Sequence, residues 1–128
     1  MISAFIISSF LGINLYFTDT PKKYCQTQSD VNGCYLVDDN TIYLNVYGDN
    51  YEKTLYHELG HALYYGNENM DNMVKDLAPL TAGDTTTAEK VADYYAEFMT
   101  NPENFKTKYP ELYNVFNDNY NVLKYFIG

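Results

Sequence analysis

Polar and apolar positions change their rhythm along this chain. The run Ile13 to Thr18 alternates in the manner of a strand. Before it, Met1 to Phe17 carries no charge, and its first part, up to Leu11, reads as a short core helix. The polar stretch Thr20 to Asn32, with Pro21 and Cys25, reads as a loop. Two β-rich runs follow, Cys34 to Val37 and Thr41 to Tyr47. The short turn Asp38-Asp39-Asn40 between them predicts a hairpin. From Tyr51 the period becomes helical and holds to about Tyr65, with Asp49 or Asn50 as cap and Gly66 as a left-handed stop. A short helix is expected over Asn69 to Leu77, ended by Pro79, and a loop over Leu80 to Thr87. Another helix covers Ala88 to Met99 and must stop before Pro102. Asn101-Pro102-Glu103 and Tyr109-Pro110-Glu111 each look like a helix start with proline at the first position, the last helix running to about Phe126. Strands first and helices after predict an α+β fold, and 128 residues make one domain, 1–128.

Composition narrows the partners. The net charge is −9 and the eight basic residues are scattered, so the basic footprint that nucleic acid requires is missing. An anionic membrane surface is disfavoured for the same reason, and Ser3, Ser8, Ser9, Gly12 and Asn14 weaken the case for a membrane span. The apolar start resembles part of a signal peptide, but no Lys or Arg precedes it and no Ala-x-Ala site follows. A cytoplasmic protein is therefore expected, with export as the alternative. Cys25 and Cys34 are either one disulfide closing a short loop or two free thiols; no CxxC is present.

The chemistry sits in His57-Glu58-Leu59-Gly60-His61. On a helix, residues four apart project from one face, so both imidazoles can aim at one ion. Glu58 lies about 100° round the helix, a poor place for a ligand but within reach of a metal-bound water. That is the arrangement of a zinc hydrolase, with Glu58 as general base. Gly60 costs on the order of 1 kcal/mol against alanine inside a helix, which suggests close approach of another backbone. No third His exists, so the remaining ligand must be Asp, Glu or Cys. The helix Ala88 to Met99 offers Glu89, Asp93 and Glu97 on one stripe, opposite Val91, Ala92, Tyr95, Phe98 and Met99. Glu89 is the preferred ligand, Asp93 the acceptor that orients a histidine, and Glu97 the fallback.

With these residues in view, the chain resembles the gluzincin metallopeptidases, where HExxH is followed by a helix bearing a glutamate ligand. Within them it is similar to the ImmA/IrrE family: LGIN (Leu11 to Asn14), TIYLN (Thr41 to Asn45), HELGHAL, and Glu89-x-x-Ala92-Asp93-x-Tyr95-Ala96 ending at Asn101-Pro102. The gap of 27 residues between His61 and Glu89 suits that family. From Asn101 to Tyr113 the tail looks more like that of anthrax lethal factor-type peptidases, which carry an oxyanion-stabilising Tyr seven residues before the glutamate; Ala82 stands there instead. The resemblance implies a minimal zincin-like fold, a Zn2+ cofactor and a protein or peptide substrate, of repressor type if the first family is followed. It also implies that the strand at Ile42 to Val46 borders the cleft and pairs with the substrate. Tyr64 and Tyr65 are candidate oxyanion donors. Two other readings compete: a zincin fold that captures a partner without cutting it, and a secreted, lethal factor-like peptidase.

Overall fold

A computed structural model describes residues 12–25, 32–66 and 87–119. The expected helices up to Leu11 and over Asn69 to Leu77, the loop around Ala82 and the end of the last helix lie outside these residues. Within them the chain is α+β. Strand β1 (Asn14–Phe17) is followed by a short helix α1 (Pro21–Cys25), the hairpin β2 (Gly33–Leu36) and β3 (Thr41–Leu44), then helices α2 (Tyr51–Tyr65), α3 (Thr87–Thr100), α4 (Pro102–Lys108) and α5 (Pro110–Asn119). No helix among the described residues is long and apolar enough to cross a membrane.

The sheet order is β1-β3-β2, with β1 parallel to β3 and β2 antiparallel to it. The hairpin turn depends on Asn40, which takes a left-handed φ of 47°. Its side chain accepts a hydrogen bond from the Tyr35 hydroxyl and donates one to the Gly12 carbonyl. Asparagine tolerates that backbone better than most residues, and here it also ties the turn to β1.

Strand β3 is central, so its backbone groups are divided between β1 and β2. It therefore has no open edge for a substrate strand, contrary to the expectation for Ile42 to Val46. β2 has the open edge on this side of the sheet: no described strand pairs with it there.

Ile42 and Leu44 of β3 are fully buried under α2, which presents Leu55, Leu59 and Leu63 to them. Each such side chain contributes about 2 kcal/mol by leaving water. Val91, Tyr95 and Phe98 of α3 continue this core to Phe105 of α4 and to Leu112 and Phe116 of α5. The rings of Tyr95, Phe98 and Phe105 each lie 5.5–5.9 Å from Phe116, two of them edge-on or tilted, a packing that aromatic quadrupoles favour.

Three local expectations need correction. Thr20 to Asn32 is not all loop, because Pro21 opens helix α1 and Cys25 ties its end to Cys34 by a disulfide with Cα atoms 6.0 Å apart. Asn50 does precede α2, but in a left-handed conformation (φ 56°) with no side-chain cap bond; its carbonyl accepts from Thr54 N–H instead. Gly66 ends α2 at φ −87°, not left-handed, with its N–H donating to the Ala62 carbonyl.

Candidate metal centre

Helices α2 and α3 cross at Gly60. A Cβ on this residue would stand 2.7 Å from the Ala92 Cα and 3.2 Å from both the Ala92 oxygen and the Tyr95 Cβ. The glycine thus lets two backbones touch, as its place inside a helix suggested. This contact brings the α3 carboxylates within reach of the α2 histidines.

One Glu89 oxygen lies 3.0 Å from His57 Nε2, and its other oxygen lies 3.0 Å from His61 Nε2. The two imidazoles are 4.9 Å apart between centroids and nearly perpendicular, at 84°. Tetrahedral zinc, with ligands at about 2.0–2.1 Å, would hold neighbouring donors about 3.3 Å apart. Each Glu89 oxygen thus serves one histidine at a few tenths of an ångström under that spacing, and the groups whose donor atoms all lie within 4.8 Å of one another are His57, Glu58 and His61, and His57, Glu89 and Asp93.

His57 adds a second argument. Its Nε2 faces Glu89 and its Nδ1 lies 2.9 Å from Asp93. A neutral imidazole has one N–H to give and cannot donate to both carboxylates. The cluster therefore holds a further proton, on the ring or on a carboxyl, or a cation takes the Nε2 side. Burial holds the His61 imidazole below its ordinary pKa, with the nearby His57 charge acting in the same direction and Glu89 opposing. A neutral ring is the form that ligates metal.

Asp93 is exposed, with 65 % of its side chain in solvent, and it occupies the expected place behind His57. Replacing it with alanine should weaken zinc binding about 10–100-fold without abolishing it, measured by competition with a chelator. An unchanged affinity would show that the Asp93 contact does not orient the ring. Glu97 is not brought to the histidines. Its carboxylate lies 3.3 Å from the Lys108 ammonium of α4.

Glu58 is 8 % exposed, beneath the histidines. Ligand-capable atoms of His57, Glu58 and His61 all lie within 4.8 Å of one another. Burial pushes the Glu58 carboxyl up to about 7; the His57 charge lowers it, Glu89 raises it, and a hydrogen bond from the Tyr35 backbone N–H lowers it. A carboxyl poised near neutrality exchanges protons readily in both directions at working pH. The Tyr35 contact has no signature in the sequence, since a backbone N–H belongs to almost any residue.

Of the two tyrosines after the motif, exposed Tyr65 is the one whose ring stacks near His61, at 6.4 Å, and near Tyr35, at 6.5 Å. Half-buried Tyr64 meets Tyr65 edge-on. On the His57 side, a cavity of about 320 Å³ opens between the two helices, lined by Asp49, Asn50, Lys53, Thr54, His57 and Ala96. No family model, curated protein or solved structure matches the chain.

Proposed function

We propose that the chain is a zinc-dependent endopeptidase of gluzincin type, with a zincin-like arrangement of its α+β fold. The observation that supports this reading is that Glu89 of α3 reaches both His57 and His61 of α2 at 3.0 Å, with buried Glu58 close to the two histidines. Zinc held by those three side chains would supply a Lewis acid that lowers the pKa of water to about 7. Glu58 takes a proton from the attacking water and returns it to the leaving amine. Asp93 keeps the His57 ring turned toward the site. An extended peptide lies along the outer side of β2, whose outward Tyr35 N–H is taken by Glu58, while Tyr65 borders the His61 end.

The Cys25–Cys34 disulfide favours an oxidising compartment over the cytoplasm. It gives weight to the exported, lethal factor-like reading over a repressor-cleaving ImmA/IrrE type.

The test is zinc per chain after metal dialysis, together with hydrolysis of an unfolded protein. One zinc and measurable cleavage are expected in the wild type, with zinc affinity at least about 100-fold weaker in Glu89→Ala. A wild type that holds no zinc would remove the peptidase reading. Zinc held without cleavage would favour a module that captures its partner.

A further inference from the structure

Glu58 reaches into the interior, where its position depends on what holds its carboxylate. The Tyr35 backbone N–H is the donor that does so. It is free for this purpose because of the hairpin register. The Asn45 N–H donates to the Asn32 carbonyl at 2.8 Å, and the antiparallel pairs continue as Gly33–Leu44, Cys34–Tyr43, Tyr35–Ile42 and Leu36–Thr41. Bonded and non-bonded pairs alternate along an antiparallel ladder. Cys34 and Leu36 thus bond to β3, whereas Gly33 and Tyr35 turn their backbone groups outward, Tyr35 toward Glu58.

The peptide unit that carries this N–H joins Tyr35 to Cys34, and it is fastened on both faces of the sheet. On one face Cys34 is bonded to Cys25 at the end of α1. That helix lies on the sheet with Pro21 buried and with the Tyr24 ring stacked on Tyr43 at 4.7 Å. On the other face the Tyr35 hydroxyl donates to Asn40 at 2.7 Å, and its ring stacks near Tyr65, the neighbour of His61. β2 also lies tight against α2: a Cβ on Gly33 would stand 3.2 Å from the Thr54 methyl. A four-residue edge strand is otherwise among the first parts of a sheet to open.

We propose that the Cys34–Tyr35 peptide is the positioning group for Glu58 and that the Cys25–Cys34 disulfide keeps it in place, so that the site is assembled in the oxidised protein and loosened in the reduced one. This rests on the reading of Glu58 as the general base. Reduction by a dithiol such as dithiothreitol breaks the S–S bond and transfers two electrons and two protons to it. Cys25 and Cys34 become thiols and the dithiol becomes a cyclic disulfide. The candidate metal ligands sit on α2 and α3 rather than on the tethered hairpin, so zinc would remain bound while Glu58 loses its anchor.

The first measurement is amide hydrogen exchange in the metal-free full-length protein, oxidised and reduced, followed residue by residue by NMR. Exchange at Tyr35 is expected to accelerate at least about tenfold on reduction, with Leu59 and Tyr95 unchanged. The second is peptide hydrolysis by zinc-loaded wild type and by the Cys25→Ser/Cys34→Ser variant, where kcat should fall about tenfold with KM and zinc content retained. An unchanged Tyr35 amide would overturn the proposal, and so would acceleration of all three amides together, which marks general destabilisation. Selective acceleration at Tyr35 with no hydrolysis in either protein would support the positioning role and overturn the peptidase reading instead.

Discussion

Glu58→Gln is expected to cut peptide hydrolysis by about 10²–10⁴-fold while zinc content stays at the wild-type level, because the variant loses a proton acceptor and keeps every ligand. The same substitution has a second effect that needs neither zinc nor substrate. The Glu58 carboxyl titrates at about 7 in the folded chain against an ordinary 4.5, chiefly because burial penalises its charge. An acid whose folded pKa is raised holds a proton that the unfolded chain releases. Its contribution is therefore fully present below about pH 4.5 and is lost as pH rises through 7. The gap corresponds to about 3 kcal/mol. Glutamine keeps an oxygen for the Tyr35 N–H and has no charge to bury. In the metal-free protein, Glu58→Gln should match the wild type near pH 4 and exceed it by up to about 3 kcal/mol at pH 8, read from urea unfolding. Equal stabilities at both pH values would contradict the buried-charge account, and full hydrolysis by the zinc-loaded variant would remove Glu58 from the chemistry.

Gly60→Ala should destabilise the fold and weaken the metal site together. In an exposed helix the change would gain about 1 kcal/mol. Here the new methyl would stand 2.7 Å from the Ala92 Cα, and backbone cannot turn aside as a side chain can. Overpacking of this kind costs about 1–3 kcal/mol or more, and a backbone clash belongs at the upper end. A net loss of about 2 kcal/mol is expected, a fall in Tm on the order of 10 °C. Helices forced apart also carry Glu89 away from both histidines, and ligand distances tolerate only about 0.2 Å of error. Zinc affinity should therefore drop by at least about tenfold. Gly48 gives the control, since the atoms nearest a methyl there belong to the Asn32 side chain rather than to backbone. A stable Gly60→Ala with unchanged zinc affinity would show that the crossing is looser than its distances imply.

Much of this arrangement is legible in the sequence, for reasons of period and spacing. The interval from His57 to His61 fixes one helix face, and the bounds of α2 follow from its apolar stripe. Glu89 and Asp93 are one turn apart on α3, opposite the face that buries Val91, Ala92 and Tyr95. Gly60 announces a close contact because a helix has no local use for glycine. The illegible parts are those that depend on distant partners. Helix α1 is five residues in a polar stretch, held by a disulfide and by the Tyr24–Tyr43 stack rather than by its own propensity. The TIYL run has the same pattern whether it lies in the middle of a sheet or at the edge, so strand order does not follow from it. Asn50 has the residue type of a cap, but its left-handed backbone turns the side chain away from that task. The donor to Glu58 is a main-chain N–H, which no residue type encodes.

The origin of each group in the site has a consequence for how such a protein changes over generations. The three candidate ligands and the ring-orienting aspartate come from two crossing helices, whereas the hold on Glu58 comes from a separate hairpin. On the proposed reading, substitutions in β2 would alter turnover while the affinity for metal would stay under selection on α2 and α3 alone. On the proposed reading, a descendant that lost the hairpin's grip would keep its metal ligands and cut more slowly, a step from an enzyme toward a binding protein.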